Sequence, residues 1–210
     1  MNLSTFDDRS NVGAPHASVS QRSFHTGWLM ILPAAGLMVA TLPGRTHGLG
    51  LITRSLLEDL QLDAGRYATI NLAATLLGGL ACLPIGKAID RFGVRIVSAL
   101  VLIGLGSAVL GVASVRDQSG LAIAVTATRA FGQSMLSVAS LTLIGKWFGR
   151  RLPQAMGLYA LVMGIGFMIA SPTLGGRIEQ VGWRSAWFEL GLLLLVAGPV
   201  AWLIVRNRPS

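Results

Sequence analysis

The sequence has little charge and almost no cysteine. Of its 210 residues, 12% are charged and 52% are hydrophobic, whereas soluble domains average about 25% charged residues. A surface with so few charges is poorly solvated by water, which favours lipid as the surrounding solvent. The one cysteine, Cys82, excludes an internal disulfide. The sequence contains no cluster of metal-ligating residues and no nucleotide-binding loop, so we predict no metal site and no cofactor.

The N-terminal region lacks an apolar core. Residues 1–27 are polar and mixed in charge, with Asp7, Asp8, Arg9 and Arg22 among them. A cleaved signal peptide requires an apolar core, so none is predicted here. We interpret residues 1–27 as a disordered cytoplasmic tail.

Long apolar runs make up the rest of the chain. A helix that crosses the hydrocarbon core of a bilayer needs about 20 residues, and six segments qualify within a predicted transmembrane bundle over residues 28–208. The first segment is the weakest, because it contains prolines, Arg45 and His47. Short connections predict that neighbouring helices are antiparallel. The predicted segments are 28–50, 67–86, 96–115, 121–143, 155–175 and 186–205.

The net charge of +8 does not indicate a nucleic-acid partner, because the basic residues form short clusters between the apolar runs. The N-terminal tail, the connections after the second and fourth segments, and the C-terminal end hold about twice as many Lys and Arg residues as the opposite flanks. Lys and Arg gather in cytoplasmic connections of membrane proteins. We therefore expect a multi-pass protein of the plasma membrane with both termini in the cytoplasm.

The connection between the second and third segments carries the most specific motif, Gly86-x-x-x-Asp90-Arg91-x-Gly93-x-Arg95. Its glycines allow a tight turn and close helix contact. Asp90 can accept hydrogen bonds from a helix N-terminus or pair with a base. Arg91 and Arg95 can pair with acids or with anionic lipid headgroups. This spacing resembles the signature loop of the major facilitator superfamily.

Other stretches are similar to the same family. In the fourth segment, Arg129 is followed by Gly132, which is one residue earlier than in many members. Gly182-Trp183-Arg184 precedes the sixth segment, as is common in the family. Residues 86–95 and 176–184 also share a glycine, a base, an acid and Gly-x-Arg. Since these two loops lie on opposite predicted membrane faces, they suggest an inverted 3+3 repeat.

The resemblance implies an all-helical integral membrane protein that forms the N-terminal six-helix half of a secondary transporter. Family members normally combine two such halves with the substrate site between them, and this sequence ends just past the sixth segment. The expected partners are therefore the lipid bilayer, a small solute, and either a second half-unit or a second copy of the chain. A truncated protein that does not transport is the alternative.

Three ionisable side chains at predicted membrane depth are the candidate substrate-binding residues: Arg129, Arg45 and His47. Such groups are costly in lipid and are often functional. Arg129 can bind an anionic carboxylate, or it can fix helix packing. Arg45 can contribute to binding or extend its side chain to the outer interface, and His47 can carry a proton or serve no such role.

The first five segments contain no deep Asp or Glu, so basic groups without buried acids favour an anion over a cation as the solute. An intramembrane hydrolase that uses Ser134 as nucleophile is a remote alternative. Gly132-Gln-Ser134 weakly resembles a nucleophile motif. The three histidines are His16, His25 and His47, and none lies in the sixth segment to serve as the base that such a nucleophile needs. The chain is therefore not expected to be an enzyme.

Overall fold

The structure is a computed structural model that describes residues 27–149 and 151–207. The predicted tail lies outside these residues, apart from Gly27. Within the described ranges every regular element is helical and no strand occurs. A 3-10 turn occupies Leu42–Gly44 and a π-helical segment occupies Arg129–Leu136. The α-helices are α1 (Ile31–Val39), α2 (Thr46–Gly50), α3 (Thr53–Leu60), α4 (Ala64–Leu80), α5 (Cys82–Ala113), α6 (Gln118–Thr128), α7 (Ser137–Trp147), α8 (Leu152–Val181) and α9 (Trp183–Ile204).

Four stretches of the described chain are helical, long and apolar enough to cross a membrane: Gly27–Gly44, Ala64–Ala113, Leu152–Val181 and Trp183–Ile204. The second stretch holds both the second and the third predicted segments. The predicted segment 121–143 instead falls on α6, the π-helical segment and α7, which have 11, 8 and 11 residues. The structure is therefore all-helical and apolar, while six membrane crossings stay a prediction.

Acidic side chains begin two of the helices. The carboxylate of Asp63 accepts a 3.0 Å hydrogen bond from the backbone N–H of Gly65 at the start of α4. Asp117 caps α6 in the same way through Gly120, at 3.2 Å, and it also accepts from the hydroxyl of Ser119. These donated bonds, the one from Ser119 foremost, hold the pKa of Asp117 below its usual value. N-terminal N–H groups of helices that lack intrahelical partners are thereby satisfied.

Two glycines interrupt the helical backbone in the same way. Gly93 has φ 83° and ψ 155° within α5, and Gly182 has φ 83° and ψ 156° between α8 and α9. Residues with a side chain rarely adopt positive φ, so glycine suits both positions. At Gly93 there is also no room, because an added Cβ would lie 2.5 Å from the side-chain nitrogen of Asn207.

The antiparallel pair α5–α9 is joined by arginines at both of its ends. The Arg95 side chain donates to the backbone carbonyl of Trp202, near the end of α9. At the other end, Arg184 donates to the carbonyls of Ala113 at 3.0 Å and Val115 at 2.8 Å, where α5 ends. Each arginine therefore satisfies carbonyl groups that a helix C-terminus leaves without an intrahelical donor.

Glycines allow α5 and α9 to pack closely between these ends. An added Cβ on Gly106 would lie 2.9 Å from the carbonyl oxygen of Gly191, and one on Gly198 would lie 2.6 Å from Cγ1 of Ile103. Small residues at such crossings let two backbones approach, which drives helix association in lipid. Elsewhere α1 packs against α7 and α8, and α4 packs against α6 and the π-helical segment.

Large apolar side chains cover the outside of α4 and α8. Leu76 and Leu83 project from the Ala64–Ala113 stretch, and Leu161 and Met168 project from α8, all of them exposed. Contiguous apolar surface of this extent is uncommon on soluble monomers. In a bilayer the same surface contacts lipid chains, which are also apolar, and is not exposed to water.

Candidate functional site

The predicted first segment is interrupted where its polar residues occur. Pro43 lies in the 3-10 turn and has no backbone N–H to donate, and Arg45 has an extended backbone with φ −92° and ψ 156° before α2 begins. The turn lies directly against the π-helical segment, because a Cβ on Gly44 would be 2.9 Å from the backbone nitrogen of Gln133. The interruption therefore places the side chains that follow Gly44 beside Arg129.

Arg129 is the most enclosed charged residue of the described chain, with 3% of its surface exposed. One guanidinium nitrogen, Nη1, donates to Oγ1 of Thr46 at 3.2 Å and to Oε1 of Gln133 at 2.5 Å. The other, Nη2, donates to Oδ1 of Asn71 at 2.5 Å. Its Nε is buried without a hydrogen-bond partner. The guanidinium is therefore held by α2, α4 and its own π-helical segment.

None of these partners carries a negative charge. In the described part of the chain, the ion pairs are Arg54–Glu58, Lys146–Asp90, Arg177–Glu189 and Arg184–Asp59. The positive charge of Arg129 is consequently solvated by neutral oxygens alone. Burying a charge costs free energy unless it is paired with an opposite charge. In the described chain no acid compensates the charge of Arg129.

Arg45 is held in a similar way. Its Nε donates to Oγ1 of Thr41 at 2.6 Å, and its Nη2 lies 2.8 Å from Sδ of Met38 and 3.3 Å from Oγ of Ser137. These partners lie on the turns that precede Arg45 and on α7. The guanidinium thus points back toward α1 and α7 and is held there by neutral partners.

Phe167 of α8 joins Arg45 to His47. The guanidinium carbon of Arg45 lies 5.4 Å from the centroid of the Phe167 ring. The imidazole of His47 meets the same ring edge to face, with 5.5 Å between centroids and an interplanar angle of 82°. Because Thr46 lies between Arg45 and His47 and contacts Arg129, the structure brings all three candidate residues to one region.

Sequence analysis missed three members of this region: Asn71, Gln133 and Phe167. A polar amide within an apolar segment is the signal that identifies the first two, since such groups are costly in lipid unless they have partners. No local pattern distinguishes Phe167 from the other aromatic residues.

The signature loop lies elsewhere. Asp90 pairs with Lys146 at 3.3 Å, and the Arg91 guanidinium lies 5.3 Å from the ring centroid of Phe92. Lys146 follows Arg129 by 17 residues, or roughly 25 Å of helix at 1.5 Å per residue. Within the described chain Gly86 has no close neighbour, because an added Cβ there would meet nothing within 4 Å.

Ser134 lies in the π-helical segment and is buried, with 8% of its surface exposed. The histidine of the described chain is His47, whose ring contacts Phe167. A nucleophilic serine needs a base within hydrogen-bond reach, and no such bond joins Ser134 to His47. In the described chain, groups of three or more His, Cys, Asp or Glu residues that could hold a metal are also absent.

Comparison with curated proteins shows similarity to transporters. The chain is 29% identical over 183 residues to monocarboxylate transporter 11 of Homo sapiens, which covers 85% of this chain and 38% of that protein. It is 25% identical over 154 residues to the probable L-galactonate transporter of Escherichia coli strain K12, covering 72% of this chain and 33% of that protein. Monocarboxylate transporter 14 of Mus musculus is 26% identical over 174 residues, covering 80% and 33%.

The chain thus spans about a third to two-fifths of the length of these relatives. The family profile described as Major Facilitator Superfamily matches residues 27–210. The family match and the relatives named as transporters indicate a transporter and not an intramembrane hydrolase. The chain is an integral membrane protein, and it belongs to the major facilitator superfamily.

Proposed function

We propose that the chain is the six-helix N-terminal half, a 3+3 inverted repeat, of a secondary transporter for a small organic anion that carries a carboxylate. In this proposal it resides in the plasma membrane with both termini in the cytoplasm. It moves its solute by alternating access, in which two bundles rock about a site near the middle of the membrane. The second bundle is either a further part of a longer chain or a second copy of this one.

The observation that carries the anion proposal is the guanidinium of Arg129. It is 97% enclosed, it has Thr46, Gln133 and Asn71 as neutral partners, and its Nε has no partner. A carboxylate would supply the missing negative charge and can accept two parallel hydrogen bonds from a guanidinium. Arg45 adds a second positive charge with neutral partners in the same region.

The names of the relatives support a carboxylate. Monocarboxylate transporter 11 and the probable L-galactonate transporter are both named for carboxylate anions. The matching regions of those proteins align with 85% and 72% of this chain. We extend that chemical class to the present chain, without choosing one acid within it.

The symmetry of α5 and α9 supports the inverted repeat. Gly93 and Gly182 share one unusual backbone conformation, and each is followed two residues later by an arginine that donates to the carbonyl end of the opposite helix. An inverted repeat predicts such matching elements at opposite ends of an antiparallel pair. The chain's share of its relatives, about a third to two-fifths, supports a half-unit.

The test measures binding of radiolabelled lactate to the purified chain. Binding of radiolabelled tetraethylammonium is measured in the same way and represents a cationic solute. Arg129→Gln removes the charge, and Arg129→Lys keeps the charge but removes the planar fork. We expect wild type to bind lactate, Arg129→Gln to bind it about 30-fold more weakly, and Arg129→Lys about tenfold more weakly, since hydrogen bonds to charged groups contribute about 1.5–3 kcal/mol.

Arg54→Gln is the matched control. It removes an arginine whose side chain is 92% exposed and which pairs only with Glu58 in its own helix, so lactate binding should match wild type. Binding of tetraethylammonium without binding of lactate would contradict the anion proposal. Equal lactate affinity of wild type and Arg129→Gln would remove Arg129 from the site.

A further inference from the structure

The ring of Phe167 contacts two positively charged or ionisable side chains. Arg45 lies over the ring face and His47 meets the ring at nearly a right angle. An aromatic face attracts a cation through its quadrupole, although more weakly than a carboxylate does. The hydrogen-bond partners of Arg45 are neutral, and the Phe167 ring adds an electron-rich surface from α8.

The backbone beside Phe167 is held against α1. A Cβ on the preceding residue, Gly166, would lie 2.5 Å from Cγ2 of Val39. The two helices are therefore in close contact beside Phe167. The ring can move only if α8 shifts away from α1 or if the side chain rotates.

Rotation of the ring has room on one side. A Cβ on Gly164 would meet nothing within 4 Å. Long side chains in a helix point toward the turn that precedes them, and Gly164 lies on that turn, three residues before Phe167. Because Gly164 has no side chain, the ring can turn toward it when another group takes its place over Arg45.

We propose that Phe167 determines the size of the anion that this site accepts. The carboxylate replaces the ring as the partner of Arg45, and the carbon tail of the anion then lies against the displaced ring. A short tail fits beside the ring, whereas a longer tail needs the space that the ring occupies. This inference rests on the proposed function, because it takes the ligand to be a carboxylate that binds at Arg45 and Arg129.

The experiment measures protection of His47 from diethyl pyrocarbonate, resolved by mass spectrometry of the peptide that contains it. The full chain is purified in detergent and treated in the presence of acetate, butyrate or hexanoate. His16 and His25 are modified in the same molecules and serve as internal references for the reagent. The midpoint of protection for each acid gives its apparent affinity.

In wild type we expect acetate to protect His47 at lower concentration than hexanoate does. Phe167→Ala should raise the affinity for hexanoate relative to acetate about tenfold, which corresponds to burying about two methylene groups. Phe167→Val leaves part of the side chain and should raise the ratio roughly threefold. It also tests the inference if Phe167→Ala fails to fold, as judged by size-exclusion chromatography.

Phe188→Ala is the matched control, because it removes the same ring from a site on α9 that is 49% exposed. It should keep the wild-type ratio of hexanoate affinity to acetate affinity. Hexanoate partitions into detergent equally in all samples, so comparison between variants corrects for that loss. If the acids protect His47 but both Phe167 variants keep the wild-type ratio, the inference about Phe167 is overturned while the proposed function stands. If no acid protects His47 in any form, the carboxylate proposal fails and this inference fails with it.

Discussion

At the scale of single residues, the charge on Arg129 is stabilised by neutral partners from different elements. Asn71 on α4 and Gln133 on the π-helical segment each accept at 2.5 Å. A purely structural arginine in lipid is expected to pair with an acid, since that pairing compensates its charge. The neutral surroundings agree with the proposal that Arg129 binds an anion.

A mutation that places an acidic side chain beside Arg129 can test whether this arginine binds a ligand or only packs helices. Asn71→Asp changes almost no volume but places a carboxylate beside Nη2 of Arg129. It should weaken lactate binding at least about tenfold, because the internal carboxylate competes with the ligand, while stability to heat is equal or greater. Radioligand binding and thermal unfolding in detergent measure the two effects.

Gln118→Glu adds the same charge at the exposed start of α6 and should change neither quantity appreciably. A loss of stability in Asn71→Asp with unchanged lactate binding would instead indicate that Arg129 has a packing role alone.

At the scale of elements, glycines determine how the long helices turn and cross. Gly93 interrupts the helical backbone of α5 with a positive φ, and Asn207 fills the space where a side chain would extend. Gly86 belongs to the same signature motif, yet it lies in open space. The two glycines of one motif therefore have different physical requirements.

Replacing each of these glycines by alanine separates the two requirements. Gly93→Ala should destabilise the chain by about 1–3 kcal/mol, because a Cβ at this φ is strained and collides with Asn207. Gly86→Ala should be neutral or slightly stabilising, since alanine favours helix. Denaturant unfolding in detergent, followed by tryptophan fluorescence, measures both. Equal stability of the two variants would argue against the turn at Gly93.

At the scale of the whole molecule, large apolar side chains face outward, and arginines link α5 and α9 at the two ends of that pair. Exposed leucines project from the outside of α4 and α8. The arginine contacts of α5 and α9 lie at the two ends of that pair. Such a molecule fits a bilayer, with its two ends in water.

The predicted orientation can be checked by labelling in intact cells with a membrane-impermeant maleimide. The background is Cys82→Ser, which removes the one native cysteine. Lys87→Cys in the signature loop should stay unlabelled until the cells are permeabilised, whereas Gln118→Cys at the start of α6 should be labelled at once. The opposite pattern would mean that the termini face outward.

The sequence was sufficient to identify the membrane class, the family and Arg129 as a candidate for anion binding, because hydropathy, charge clustering and short motifs are properties of local sequence. It also marked the first segment as the weakest, because prolines remove a backbone donor wherever they occur. The π-helical backbone within segment 121–143 was not predicted, because irregular backbone depends on contacts between elements.

Tertiary structure alone decided the partners of Arg129, which lie 83 residues away at Thr46 and 58 residues away at Asn71. It also decided that Phe167 contacts both Arg45 and His47, and that Arg95 and Arg184 join opposite ends of α5 and α9. Hydropathy places a residue within a helix but does not determine which neighbouring helix it faces. That choice depends on the close packing of glycine-lined surfaces, which forms only when the helices assemble.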